Sequence, residues 1–290
     1  MRLDELPTSD RVEDRRGLPG GRAGIGIGTI VVLGLIGWAF GIDPRVLIGG
    51  ADMMSSGSQT QQQQIRPGAP SDEMGRFVSA VLGSTDKVWT DVFARAGKTY
   101  TPPTLVMFSG ATQSGCGFAQ AAMGPFYCPI DQKVYLDTSF FQDLERRFRA
   151  CDVGSKTCQF SRAYVIAHEI GHHVQNQLGI LTKVQEAQSG MDKTEANALQ
   201  VRVELQADCF AGVWANRAQA KWQFIEPGDV EAALQTASAI GDDRLQRRTQ
   251  GYVVPDAFTH GTSAQRVRWF MTGLRSGAVD SCDTFRAEQI

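Results

Sequence analysis

Apolar positions recur along this chain in three registers, and each predicts a different kind of element. Ala23 to Ile42 is apolar all round and holds no charge over 20 positions. At 1.5 Å per residue such a stretch spans about 30 Å as a helix, the thickness of a bilayer core. Helical spacing follows further on. Phe77, Val81 and Leu82 mark one short helix, and Val88, Val92 and Phe93 a second that stops at Gly97. Leu105-Val106-Met107-Phe108 reads as a buried strand. A hairpin comes next, with Gly117 to Met123 as one arm and Lys133 to Asp137 as the other. Phe140 to Arg149 reads as helix. Ser161 to Gly179 follows as a second helix, with Tyr164, Ala167, Gly171 and Val174 on its apolar face. Ser161 is a candidate N-cap and Gly179 a left-handed stop. Thr182 to Thr194 is a polar loop. Glu195 to Trp222 is a long helix, with Val201, Leu205, Ala211 and Val213 among its apolar positions. Asp229 caps a helix running to Gly241, a charged stretch follows (Asp242 to Arg248), and Thr262 or Ser263 caps a last helix through Leu274.

These elements divide the chain into a polar tail (1–22), a transmembrane helix (23–42), a flexible linker (43–71) and a folded domain (72–290). The linker is rich in Gly, Ser, Gln and Pro and includes Gln61-Gln62-Gln63-Gln64. Five arginines (2, 11, 15, 16 and 22) precede the apolar stretch, and Arg45 is the first to follow it. The positive-inside bias therefore predicts a single-pass anchor in the cytoplasmic membrane, with the N-terminus inside and the domain outside. A cleaved signal peptide would have a shorter basic head and a clearer small-x-small site.

The formal charge of −2 argues against nucleic acid as a partner. All six cysteines lie beyond the apolar stretch, and no C-x-x-C spacing occurs. In an oxidising compartment such a set reads as disulfides. Six cysteines allow many pairings. The economical set is Cys116 with Cys128, Cys151 with Cys158, and Cys209 with Cys282.

The candidate chemistry sits on the helix from Ser161. His is scarce, four in the chain, yet three fall at 168, 172 and 173. Residues four apart share a helix face, so His168 and His172 can grip one metal ion. Glu169 stands beside them, within reach of a water on that ion. His168-Glu169-Ile170-Gly171-His172 is thus an H-E-x-x-H pattern, whose chemistry is zinc-assisted hydrolysis. The competing reading is a buried helix whose histidines bond to backbone.

Catalytic zinc usually takes three protein ligands and leaves a fourth position for water. Continuing the same helix to a third histidine fails, because Gln175 and Leu178 stand at the required Gly and His positions. A carboxylate from the later long helix is the other route. Glu204 is well placed there, and Asp208, one turn on, can accept the free N–H of a ligating histidine. Glu195, Glu186 and Asp192 are rival ligands by composition, and a solvated helix face beside Arg202 is the bland alternative. A Cys209–Cys282 bridge would lash the C-terminal segment to this site. His173 is turned about 100° from His172 and reads as structural or as a donor behind the metal ligands. His260 could donate to the oxyanion of an attacked carbonyl, or could be a loop residue bonded to backbone. Arg266, Arg268 and Tyr252 are weaker candidates nearby.

Three runs carry a family resemblance: Cys116-Gly117-Phe118-Ala119, Gly124-Pro125-Phe126-Tyr127-Cys128-Pro129 and Val134-Tyr135-Leu136-Asp137. With the metal helix, Glu204 to Asp208, and His260-Gly261-Thr262 followed by Arg266 and Trp269-Phe270, the chain resembles the bacterial neutral zinc metallopeptidase family of the YpfJ type. The resemblance implies a mostly helical α+β, zincin-like domain of gluzincin type with a small antiparallel sheet. It implies a membrane-anchored peptidase holding one Zn2+ on His168, His172 and Glu204, with Glu169 catalytic and a peptide or protein as substrate. By analogy with related peptidases, Phe118 to Ala122 would pair with substrate backbone. Two other readings stay open: a non-enzymatic zinc-stabilised module that binds an envelope partner, and a zinc amidase acting on cell-wall amides.

Overall fold

A computed structural model describes residues 1–16, 66–67, 70–120, 124–146, 151 and 157–290. The expected transmembrane helix and most of the expected linker lie outside the described residues. Among the described residues no helix is long and apolar enough to cross a membrane.

Residues 1–16 are part of the domain, not the polar tail that their composition suggests. Strand β1 (Val12–Asp14) runs parallel to β3 (Thr104–Phe108) on one side and antiparallel to β2 (Arg66–Pro67) on the other. Leu6 and Val12 are buried, and the Met1 ammonium lies 3.0 Å from a carboxylate oxygen of Asp229. The tail carries few apolar residues because its backbone makes the attachment. Leu105 N–H donates to the Arg11 carbonyl and Arg15 N–H to the Met107 carbonyl. Its charges neutralise one another locally: Glu13 lies against Arg15 and Lys133, and Arg16 against Asp14 and Asp72.

One helix, α1 (Glu73–Arg95), replaces the two short ones expected. Between the two apolar groups lies Gly83-Ser84-Thr85, a poor helical triplet by propensity. Here Ser84 and Thr85 return their hydroxyls to the Val81 and Leu82 carbonyls. Gly83 makes room for the N-terminal segment: a Cβ there would sit 2.4 Å from the Pro7 carbonyl oxygen. The packing of residues 7–9 thus selects small residues in mid-helix.

The fold is mostly helical α+β, and the small antiparallel sheet expected is present as a two-stranded hairpin beside a larger mixed sheet. Strands β4 (Ala111–Ser114) and β5 (Gly117–Gln120) form a separate antiparallel hairpin. The antiparallel partner of β7 (Lys133–Asp137) is β6 (Phe126–Cys128), and β3 pairs with β7 in parallel. The five-stranded order is β2-β1-β3-β7-β6, parallel in the middle and antiparallel at both edges. Gly117–Gln120, the described part of the arm expected at Gly117 to Met123, therefore pairs with β4 and not β7; the rest of that arm lies outside the described residues. Its turn is closed by Ser114, whose hydroxyl bonds the Gly117 carbonyl, and by Asp131, which accepts the Gly115 N–H. The Cys116–Cys128 disulfide ties this hairpin to the edge strand β6.

Helices cover the sheet. After α2 (Phe140–Arg146) comes α3 (Cys158–Gln177), which carries the paired histidines. It begins ahead of Ser161, which is buried inside the helix and is not its cap. Gly179 has the expected positive φ of 73°. The stretch expected as a polar loop holds most of α4 (Ile180–Gln188), and α5 (Lys193–Trp222) is capped by Asp192. Then follow α6 (Asp229–Ala239), α7 (Asp242–Gln250) in the charged stretch, and α8 (Ser263–Ser276), which Thr262 caps with Gln265 in reciprocal bonds. The core fills around α3 and α5, with Trp89 edge-on to Phe210 and Phe160 stacked on Trp214. Helices α5 and α8 meet at two glycines: a Cβ on Gly273 would fall 1.9 Å from the Cys209 carbonyl oxygen, and one on Gly212 2.1 Å from that of Phe270. The other disulfides join Cys151 to Cys158 and Cys209 to Cys282.

Candidate metal centre

Gly171, between the two histidines of α3, faces Ala207 of α5, and a Cβ there would stand 3.0 Å from the Ala207 carbonyl oxygen. This close approach sets one α5 turn against the histidine face. Glu204 Oε2 lies 3.1 Å from His168 Nε2 and 3.4 Å from His172 Nε2. One donor atom from each of the three residues lies within 4.8 Å of the others. The rings of His168 and His172 stand 4.8 Å apart at 87°. Two imidazole nitrogens and a carboxylate oxygen on converging paths fit a zinc ion with a position to spare. The rival acids Glu186, Asp192 and Glu195 are outside this cluster.

Asp208 lies behind His168. The imidazole Nδ1–H donates to its Oδ1 at 2.9 Å, and the Tyr164 hydroxyl donates to the same oxygen at 2.5 Å. Arg266 of α8 closes the carboxylate from the far side, Nε to Oδ2 at 2.9 Å and a terminal nitrogen to Oδ1 at 3.0 Å. Burial would raise the pKa of Asp208, but the Arg266 guanidinium and His168 outweigh it and hold it at about 2. Burial likewise disfavours a charged His168, and the Asp208 carboxylate overrides it, lifting its pKa to about 10 when a proton rather than a metal occupies Nε2. Glu204 is driven well below the carboxylate range by the two imidazoles, against the cost of burial. His172 takes its second bond from a neutral group, its Nδ1 lying 2.9 Å from Gln175 Oε1.

The three candidate ligands line one wall of an open cleft of about 600 Å³, together with Glu169, His260 and Arg266. Phe126 and Tyr127 of the edge strand, Phe140, and Leu181 and Val184 of α4 line it too. Phe118, expected beside the substrate, lies on the separate hairpin, half exposed and away from the cleft. The strand that borders the cleft is β6. His260 is half exposed at its rim. Asp242 holds the loop beneath it, one carboxylate oxygen accepting the N–H groups of Thr259, His260 and Gly261 at 2.7, 2.6 and 3.1 Å. The other oxygen faces His260 Nδ1 at 3.3 Å. His173 points elsewhere, to the Tyr127 hydroxyl and the Thr101 carbonyl. Arg268 and Tyr252 are exposed and outside the cleft.

Sequence reasoning missed Tyr164, Gln175 and Asp242. Tyr164 had a signal: it lies one turn before His168 on the same helix face. Nothing in the chain marks Asp242, which begins a helix in a stretch crowded with charge.

A family profile described as "Putative neutral zinc metallopeptidase" matches residues 1–285. YpfJ of Escherichia coli (strain K12) is 46% identical, over 98% of this chain and 99% of its own. Rv2575 of Mycobacterium tuberculosis (strain ATCC 25618 / H37Rv) is 42% identical, over 78% of this chain and 76% of its own. No solved structure matches the chain.

Proposed function

The chain belongs to the neutral zinc metallopeptidase family, and from that premise we propose that it is an endopeptidase that holds one zinc ion on His168, His172 and Glu204. The observation that carries this reading is the convergence of those three donor atoms at the wall of an open cleft that Glu169 also lines. A zinc ion held by His168, His172 and Glu204 would supply Lewis-acid polarisation of the scissile carbonyl and a more acidic water. Glu169 takes the proton of the attacking water and returns it to the leaving amine. His260, held by Asp242, offers an N–H to the carbonyl oxygen as negative charge develops there. The substrate backbone lies along the edge strand β6. Phe126, Phe140, Leu181 and Val184 receive apolar side chains.

Exchange of Glu169 for Gln tests the assignment. The variant keeps one equivalent of zinc and loses at least about a thousandfold in peptide cleavage. Cleavage at the wild-type rate would end it. A zinc-stabilised binding module would instead need a closed site with four protein donors. Among the described residues three converge, and His173 is turned away to Tyr127 and Thr101.

A location outside the cytoplasmic membrane is proposed from the three disulfides, which persist in oxidising compartments. Membrane attachment through residues 23–42 is proposed with one constraint. Val12 pairs with Leu105 and Glu13 with Pro67, which supports placing both flanks of that stretch on the same side. The attachment proposed is therefore one that leaves the N-terminus on the side of the domain.

A further inference from the structure

We infer that Gln175 and Gln206 are positioning residues for the metal centre, forming an amide relay that sets the orientation and tautomer of His172 from the backbone of Cys282. The relay rests on the reading of His172 as a ligand. It begins at His172 Nδ1, 2.9 Å from Gln175 Oε1. The Gln175 amide nitrogen donates to the Val203 carbonyl at 2.8 Å and to Gln206 Oε1 at 3.1 Å. The Gln206 amide nitrogen donates to the Cys282 carbonyl at 3.0 Å. Both glutamines are buried.

Polarity runs one way along this chain of bonds. A backbone carbonyl can only accept, so the Cys282 carbonyl fixes which end of Gln206 faces it. That leaves the Gln206 oxygen towards Gln175. Gln175 must then turn its nitrogen to Gln206 and Val203, and its oxygen to His172. An amide oxygen demands a donor, so His172 carries its proton on Nδ1 and keeps the Nε2 lone pair free towards Glu204 and the metal. A rotated amide would set nitrogen against N–H at His172 and carbonyl against carbonyl at Cys282, leaving buried groups unpaired.

The anchor is itself held. Cys282 is bonded to Cys209, which follows Asp208 on α5. The Thr284 hydroxyl donates to the Arg202 carbonyl at 2.6 Å, and the Arg202 guanidinium returns to the Thr284 and Ala287 carbonyls. The two histidines are thus oriented by unlike means: His168 by an ionised carboxylate, His172 by a neutral relay tied to the C-terminal segment.

The test compares wild type, Gln175→Leu and Gln206→Leu, both for zinc affinity by chelator competition and for exchange with water of the His172 Nδ1 proton, followed by nitrogen-edited NMR of the zinc-loaded protein. Gln175→Leu should lose about tenfold or more in zinc affinity, as removing a bond to a ligating histidine does. Gln206→Leu does not touch His172, yet should weaken zinc severalfold and speed exchange of that proton. A merely structural role for Gln206 would lower the unfolding midpoint and leave the exchange unchanged. Wild-type affinity and exchange in Gln206→Leu, or a wild-type spectrum with the His172 proton on Nε2, would overturn the relay while leaving the zinc site standing. A wild-type protein that takes up no zinc would overturn the metal centre and the relay with it.

Discussion

Asp208 and Asp86 are two acids withdrawn from solvent, and the groups that face each set how firmly it holds a proton. Asp208 stays ionised because Arg266 and His168 face it. Asp86 of α1 has a weaker set, the Ser9 hydroxyl at 3.1 Å and the field of Arg11, and burial pushes its pKa up to about 7. The folded protein therefore holds this proton far more tightly than the unfolded chain. The contribution of Asp86 to stability is full below about pH 4, falls as the pH climbs towards 7, and is lost above that, on the order of 4 kcal/mol. Asp86→Asn should match wild type at pH 4 and exceed it at pH 8, in urea unfolding read across that range. A variant with the wild-type pH profile would refute the assignment. At this scale the sequence marks groups whose spacing is itself the chemistry. His168, Glu169 and His172 stand out by helical register, and Glu204 and Asp208 by lying one turn apart on the second helix. Gln175, Gln206 and Asp242 act through bonds across the interior, and neutral amides or one more acid carry no periodic mark.

Among the elements, α3, α5 and α8 are legible, α4 and α7 are not, α1 reads as two helices, and the short strands β1 and β4 leave no pattern. Helices α3, α5 and α8 follow from apolar residues at helical spacing, and α8 also from Thr262 at its start; α6 begins at Asp229 itself, with Gly228 rather than Asp229 in the cap position. β1 and β4 are three and four residues long, and β1 holds one apolar side chain, so their pairing is a backbone matter with no pattern to read. Helix α4 was hidden because only Val184 of it is buried. The close crossing of α5 and α8 sets Arg266 against Asp208, and Gly212 and Gly273 make it. Gly273→Ala should lower stability by about 3 kcal/mol or more, since the obstacle is backbone rather than a side chain that can move. It should weaken zinc binding as well. Thermal unfolding and chelator competition check this together, and an unchanged midpoint would show that the helices can part without cost.

Taken whole, the molecule closes its sheet with its own N-terminal segment. That segment was read as a tail on charge and polarity, features that describe solvent exposure but not backbone pairing. With β1 between β2 and β3, residues 1–16 are expected to lie on the same side of any membrane as the sheet they complete. Cysteines introduced singly at Asp10 and Lys98, both exposed in a protein whose native cysteines are all paired, should react equally with a membrane-impermeant maleimide in intact cells. Labelling of one and protection of the other would place them on opposite sides and contradict the strand pairing. The same packing that encloses the N-terminus brings α3 and α5 together at Gly171, and the account of function rests on what that contact creates. X-ray absorption of the zinc-loaded protein reads it directly. The expected first sphere is two imidazole nitrogens at about 2.0–2.1 Å, one carboxylate oxygen at about 2.0–2.2 Å and one water. A sphere of four protein donors, or one unchanged by Glu204→Ala, would contradict it.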